Sequence, residues 1–380
     1  MKKLLTAFTL IFLMLSVASS QESSRHDRHV FMLEINGVIG PATADYFERS
    51  VDKATKMNPE FILLKMDTPG GLDVSMRKII KKIIASPIPI VTYVTPGGAR
   101  AASAGTYILY ASHIAAMSPG TNLGAATPVQ LMPDMSTDKT EKQAEKGNDK
   151  QKTLNKDKKP VIKEGDAMAN KMMNDAVAYI QSLAEMRGRN AEWAAKAVTE
   201  AASLPAEEAL KQRVIDIVAN NTKDLFEQLN GRSIAVQGRE QTISTTGISI
   251  KEILPDWRNK FLQTITDPNI AYILMLVGIY GLIFEFSSPG AILPGTVGAI
   301  SLLLALFAFQ VLPINYAGLA LIGLGVALMV AEAFQPSFGV LGVGGVISFA
   351  TGSVILIDTN LPGYGIDIGI IAGFTVSTAA

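Results

Sequence analysis

The sequence predicts an α/β domain followed by an all-α, multi-pass transmembrane domain, on three observations. Short β-type runs alternate with amphipathic helical stretches over 30–218, the pattern of strand–helix units packed around a sheet. Residues 261–380 contain no Lys, Arg or His, although the chain holds 34 basic side chains. A segment that apolar belongs in a different solvent from the charged part before it. Third, residues 1–20 read as a secretory signal. Lys2 and Lys3 form its charged start, 4–17 its apolar stretch, and Ala18-Ser19-Ser20 before Gln21 a small-residue cleavage site. The segment after the signal is expected outside the cytoplasm.

The elements come in this order. Residues 30–35 (VFMLEI) open the α/β region as a strand, and 42–57 read as a helix stopped by Asn58-Pro59. A second strand over 61–66 leads to a helix over 74–85, ended by Ser86-Pro87. A third strand is expected at 88–94, then a buried, small-residue helix over 103–112. Residues 130–165 break the pattern, with nine lysines and seven acids among few apolar groups. Such a segment buries too little surface to offset its ordering entropy and reads as a charged, mobile insertion. From Asp166, Met168, Met172, Ala176, Tyr179 and Leu183 recur at helical spacing and define an apolar stripe. Two short helices (192–198, 205–212), a closing strand (214–218) and two β-like runs within 230–255 complete the domain, read as 21–255.

The transmembrane domain, 256–380, is expected to hold four or five helices, at 270–286, 291–312, 314–334 and 338–357. A fifth stretch, 367–380, reads as a span cut short. Glu285 and Glu332 lie near span ends, where a hydrated end-of-helix acid is the simpler reading and a functional carboxylate the other. The loops between spans carry no cation from which to read orientation. Lys251, Arg258 and Lys260 favour a cytoplasmic α/β domain, but the signal acts first in synthesis and places it on the extracytoplasmic side.

At 380 residues the chain suits about two domains. Formal charge is zero, so nothing global argues for nucleic acid, and the acids interleaved in the insertion argue against a basic tract. Cysteine is absent, which excludes a thiol nucleophile, a thiolate zinc site and disulfides. His26 and His29 fall in a polar stretch after the leader and read as spacer rather than metal ligands. No cofactor or metal is expected.

Two small-residue turns carry the chemistry. Asp67-Thr68-Pro69-Gly70-Gly71 comes after one strand, and Ala101-Ala102-Ser103-Ala104-Gly105 after the next. Turns at neighbouring strand ends can set one hydroxyl beside backbone N–H groups, which suits acyl transfer. Ser103 is the candidate nucleophile, its small neighbours leaving room for a substrate backbone. A packing serine at the start of a buried helix is the other reading. Gly70 and Gly71 can adopt backbone conformations barred to other residues, turning the Gly71 N–H toward the site, with the Ala104 N–H as second donor. The only histidine inside the α/β region, His113, would need a sharp reversal to reach Ser103 and suits a packing role. Lysine remains as the base, because burial lowers its pKa. Lys171 lies beside the apolar stripe, where it is either buried for that purpose or snorkels to solvent.

These residues resemble the NfeD family of membrane-bound, ClpP-class serine proteases. The resemblance rests on Asp67–Gly71, on residues 98–108 (GARAASAGTYI), on 117–126 (MSPGTNLGAA), and on Lys171 followed by Ala178-Tyr179-Ile180 and Arg187-Gly188-Arg189-Asn190. It runs from Glu34 to the membrane spans. It implies a ClpP/crotonase-like protease domain with a Ser103–Lys171 dyad and an oxyanion hole from Gly71 and Ala104. It also implies stomatin-like membrane proteins, through their apolar segments, as substrate or partner, a homodimer of the protease domain, and contact with membrane lipid. The expected activity is a serine endopeptidase anchored in the cell (inner) membrane. The rivals are a non-catalytic scaffold that organises a stomatin-like partner and, on the shared fold, an acyl-CoA enzyme, which export disfavours.

Overall fold

A computed structural model describes residues 28–128, 164–288, 290, 292–310, 312, 314–357 and 365–379. The signal stretch, His26 and the insertion up to residue 163 lie outside the described residues. In chain order the first part contains β1 (His29–Asn36), α1 (Pro41–Met57), β2 (Ile62–Asp67), α2 (Asp73–Ile84), β3 (Ile90–Val94), β4 (Arg100–Ala102), α3 (Ala104–Ala111), β5 (Ile114–Met117) and β6 (Asn122–Gly124). It continues with α4 (Glu164–Met186), α5 (Ala191–Thr199), β7 (Ser203–Pro205), α6 (Ala206–Lys211), β8 (Ile217–Val218), α7 (Thr222–Leu229), the hairpin β9 (Ser233–Val236) and β10 (Arg239–Thr242), and β11 (Ser249–Glu252).

Six strands form a parallel sheet in the order β11-β1-β2-β3-β5-β8. Its strands are apolar on both faces because helices or loops cover both sides. Side-chain alternation divides them: Leu33, Ile35, Ile62, Leu64, Met66 and Met117 enter one core with the helices, while Val30, Phe61, Leu63, Val91, Tyr93 and Ile114 enter a second on the other face. A small sheet, β4-β6-β7, stands beside the large one. The sequence does not announce it, because its three-residue strands carry Ala, Gly, Asn and Ser rather than β-branched residues. Nor does it announce β5, α7 or the helix over Trp257–Ile265. The closing strand expected over 214–218 shrinks to β8, and α4 starts at Glu164, two residues earlier than its apolar stripe suggests.

The second part is all helical: α8 (Trp257–Ile265), α9 (Pro268–Ser287), α10 (Leu293–Phe309), α11 (Tyr316–Phe334), α12 (Val340–Ile355) and α13 (Ile368–Ala379). Among the described residues α9 and α11 are long and apolar enough to cross a membrane, and α10, α12 and the last helix are shorter apolar helices. Pairs of helices pack as hairpins through glycines. A Cβ on Gly298 would lie 3.0 Å from the Gly278 carbonyl, and one on Gly345 2.8 Å from that of Gly325, so the backbones approach closely. Glu285 accepts from the N–H groups of Ile292 and Gly295, and Glu332 from those of Ser337 and Gly339. Both acids close the turn between two helices of a hairpin by accepting from its N–H groups rather than from solvent alone.

Candidate active site

Ser103 sits where β4 turns into α3, with φ +50 and ψ −117. A serine in that region is strained by about 1–3 kcal/mol, and the surroundings fix it there. Its N–H donates to the Gly124 carbonyl at 2.9 Å. The buried Thr106 hydroxyl lies 2.8 Å from the Ala101 carbonyl and 3.0 Å from that of Gly124, and accepts from the Gly124 N–H. This is why the β6 segment matters to a serine twenty residues away. The Ser103 hydroxyl does not cap its own helix, no hydrogen bond to it is found among the described residues, and the residue is half-buried. A sharp, strained strand-to-helix turn that lifts a serine hydroxyl off its helix is the geometry of a nucleophile elbow.

The Asp67–Gly71 turn is pinned against this elbow. Asp67 Oδ1 accepts from the Arg100 N–H at 3.0 Å, Thr68 pairs with Ala101, and the Thr68 hydroxyl accepts from the Gly70 N–H at 3.1 Å. Gly70 has φ +123, and a Cβ there would stand 2.8 Å from Ser103 Cβ and 3.3 Å from its Oγ. Glycine is required on both counts. Gly71 bridges Ile39, but through its neighbours: the Ile39 N–H donates to the Gly70 carbonyl at 2.8 Å and the Leu72 N–H to the Ile39 carbonyl at 2.9 Å. In such a parallel bridge the N–H of Gly71 itself points away from Ile39. Ala104 is the first residue of α3, so its N–H has no preceding turn to bond and lies at the positive end of the helix.

Lys171 lies on α4 and is exposed. Burial of its amine, one of the two sequence readings, is therefore not met within the chain alone. Among the described residues no hydrogen bond joins it to Ser103. Its helix is nonetheless tied to the site. Asp175 and Tyr179 follow Lys171 at i+4 and i+8 on the same face, and both engage Arg77 of α2. Arg77 Nη2 donates to Asp175 Oδ2 at 2.6 Å, Nε donates to Asp73 at 2.8 Å, and the guanidinium carbon stands 4.4 Å from the Tyr179 ring centroid. Tyr179 also stacks on Tyr107 of α3, with centroids 6.0 Å apart. Burial first, then the Asp73 carboxylate, push the Tyr107 phenol upward; burial likewise raises Tyr179. Burial opposes the Arg77 charge, but its hydrogen bonds to Asp73 and Asp175 outweigh this and hold it above the ordinary arginine value. Neutral rings thus meet a fixed cation between α2, α3 and α4. Sequence reading misses Arg77, because beside Lys78, Lys81 and Lys82 it looks like part of a solvated face.

His113 is buried, and its Nδ1 accepts from the Ile90 N–H at 3.2 Å. Burial, with Arg187 and Arg189 nearby, lowers its pKa to about 3. It is a core histidine engaged away from Ser103, as its sequence position suggests. Among the described residues no group of three His, Cys, Asp or Glu is placed to hold a metal ion.

Comparison with known proteins agrees with this architecture. Residues 29–159 match the family of the NfeD1b N-terminal domain, and 269–380 that of the NfeD integral membrane domain. The chain is 38% identical over 329 residues to the membrane-bound protease PH1510 of Pyrococcus horikoshii, covering 86% of this chain and 68% of that one. It is 26% identical over 359 residues to the membrane protein NfeD1b of Bacillus subtilis, covering 92% of this chain and 74% of the relative. Among solved structures it resembles a lysine-to-alanine mutant of the 1510-N membrane-bound stomatin-specific protease in complex with a substrate peptide. The TM-score is 0.51 at 35% identity, over 63% of this chain and 99% of that one. With its ClpP/crotonase-like domain followed by apolar membrane helices, the chain belongs to the NfeD family of membrane-bound, ClpP-class serine proteases.

Proposed function

We propose that the chain is a membrane-anchored serine endopeptidase in which Ser103 is the nucleophile and Lys171 the general base. The observation that carries the proposal is the Ser103 elbow: a strained, uncommitted hydroxyl packed against Gly70 and preceding the Ala104 N–H. In the reaction the neutral Lys171 amine takes the Ser103 proton as Oγ attacks the scissile carbonyl. The N–H groups of Gly71 and Ala104 hold the oxyanion. The lysine ammonium returns the proton to the leaving amine, and an acyl-enzyme remains. Water, deprotonated by Lys171, then releases the acid and regenerates Ser103. An apolar substrate segment laid over the cleft supplies the desolvation that an exposed amine otherwise lacks. Such a segment suits the stomatin-like substrate of the similar protease. The proposal includes an extracytoplasmic protease part, a multi-pass anchor and the homodimer implied by the family resemblance.

The test is cleavage of an apolar peptide by the full chain in vesicles. Ser103→Ala and Lys171→Ala are each expected to lower the rate on the order of a thousandfold; full activity in either variant ends the dyad proposal. Lys171's exposure favours a second reading, the scaffold for a stomatin-like partner. Partner capture that survives Ser103→Ala, with no peptide ever cut, would establish the scaffold instead.

A further inference from the structure

The α/β part joins the membrane helices through α8. Leu254, Trp257 and Phe261 are 68%, 79% and 46% exposed, and Trp257 and Phe261 stand one turn apart on one face. An apolar patch of that size on an otherwise polar segment calls for a covering partner. The opposite face is already used. Asn259 and Ile265 are buried, Asn259 Nδ2 donates to Asp45 of α1 at 2.9 Å, Asp256 pairs with Arg49, and the Tyr46 hydroxyl donates to the Ile253 carbonyl. α8 is thereby fixed on α1 with its aromatic face turned outward.

Position and charge identify what covers that face. The membrane-spanning α9 starts at Pro268, three residues after α8 ends, and α8 touches both α9 and α10. The patch therefore lies at the level where the spans meet the α/β part. From Ile253 to Asp267 the exposed cations are Arg258 and Lys260, whereas the acids of that stretch are engaged: Asp256 caps α8 and Asp267 caps α9. Aromatic rings beside cations, next to a span, match the headgroup boundary of a bilayer, where rings enter the acyl edge and cations meet lipid phosphates. We propose that α8 lies in the membrane surface, with Leu254, Trp257 and Phe261 inserted at the headgroup–acyl boundary and Arg258 and Lys260 on the phosphates. One consequence reaches the active site. The loop before α1 packs Val38 on the membrane helices and pairs Ile39 with Gly71, so α8 and this loop together set the height of the Ser103 turn above the bilayer.

The chain holds two tryptophans, and the other, Trp193, is buried and stacked on Tyr110. The full chain carrying Trp193→Phe, reconstituted in phosphatidylglycerol–phosphatidylcholine vesicles, thus reports on Trp257 alone. Blue-shifted emission is expected, quenched more by lipids brominated near the top of the acyl chain than by those brominated at its middle, and little by aqueous iodide. Water-like emission quenched by iodide and untouched by brominated lipid would overturn the proposal. So would blue-shifted emission shielded from both quenchers, because a protein surface would then cover α8.

Discussion

Replacing Arg77 with alanine removes its contacts between α2 and α4 while leaving Ser103 and Lys171 unchanged. The magnitude comes from exposure. The Arg77 side chain is 34% exposed and that of Asp175 65%, so their ion pair contributes about 0.2–1 kcal/mol. The Asp73 pair within α2 adds about 0.3–0.5 kcal/mol, but it does not bridge the helices and is left out of the coupling. The guanidinium over Tyr179 contributes about 0.5–1 kcal/mol at a partly exposed site. Together the contacts that Arg77 makes to α4 amount to about 1–2 kcal/mol, or about a five- to thirtyfold change in local opening. Hydrogen exchange of the α4 amides around Lys171 is the direct assay, and those amides are expected to exchange faster by that factor in Arg77→Ala. Asp175→Asn, which keeps the ring contact, is expected to give the smaller part of the effect. If Lys171 acts only from a docked α4, kcat follows the docked fraction, which stays near one until the open form is appreciably populated. Unchanged exchange in α4 would refute the clamp.

Three other perturbations probe the scaffold. In Gly71→Ala the new Cβ would meet the Ile39 carbonyl oxygen at 2.2 Å, so denaturant titration is expected to show a loss of about 1–3 kcal/mol. Arg189 is 1% exposed on its side chain, donates to the carbonyls of Tyr110 and Ser112 and pairs with Asp216 at 2.6 Å. Arg189→Ala strands these groups and is expected to cost about 3–5 kcal/mol by the same measurement. His113 is protonated near 6.5 when unfolded but only near 3 when folded. As pH falls from 6.5 toward 3 the unfolded chain takes up a proton that the folded chain refuses, so stability declines over that window. His113→Leu is expected to remove that part of the slope, to cost about 1–3 kcal/mol at neutral pH by stranding the Ile90 N–H, and to leave Ser103 reactivity unchanged.

Much of this is legible in the sequence because burial writes itself as pattern. The apolar runs that form β1, β2 and β3 and the cation-free tail arise from solvent preference along the chain, the Asn58-Pro59 stop arises from local backbone limits, and the membrane helices fall within a few residues of the expected spans. The Pro-Gly-Gly turn and the serine among small residues are visible for the same local reason. The hidden features depend on contacts between distant segments. The small sheet holds Ser103 through Gly124, and the Arg77 clamp joins helices nearly a hundred residues apart. No local period announces either. The environment of Lys171 is the hardest to read, because an amine beside an apolar stripe has the same sequence pattern whether it is buried or, as here, exposed.

The central claim is that Lys171 activates Ser103, and an apolar peptidyl phosphonate applied to the full chain in vesicles tests it most directly. Mass spectrometry of the digested protein is expected to find the label on Ser103 in the parent chain, and to find it lost in Lys171→Met, while His113→Leu labels like the parent. Equal labelling of Ser103 with and without the Lys171 amine would contradict the account.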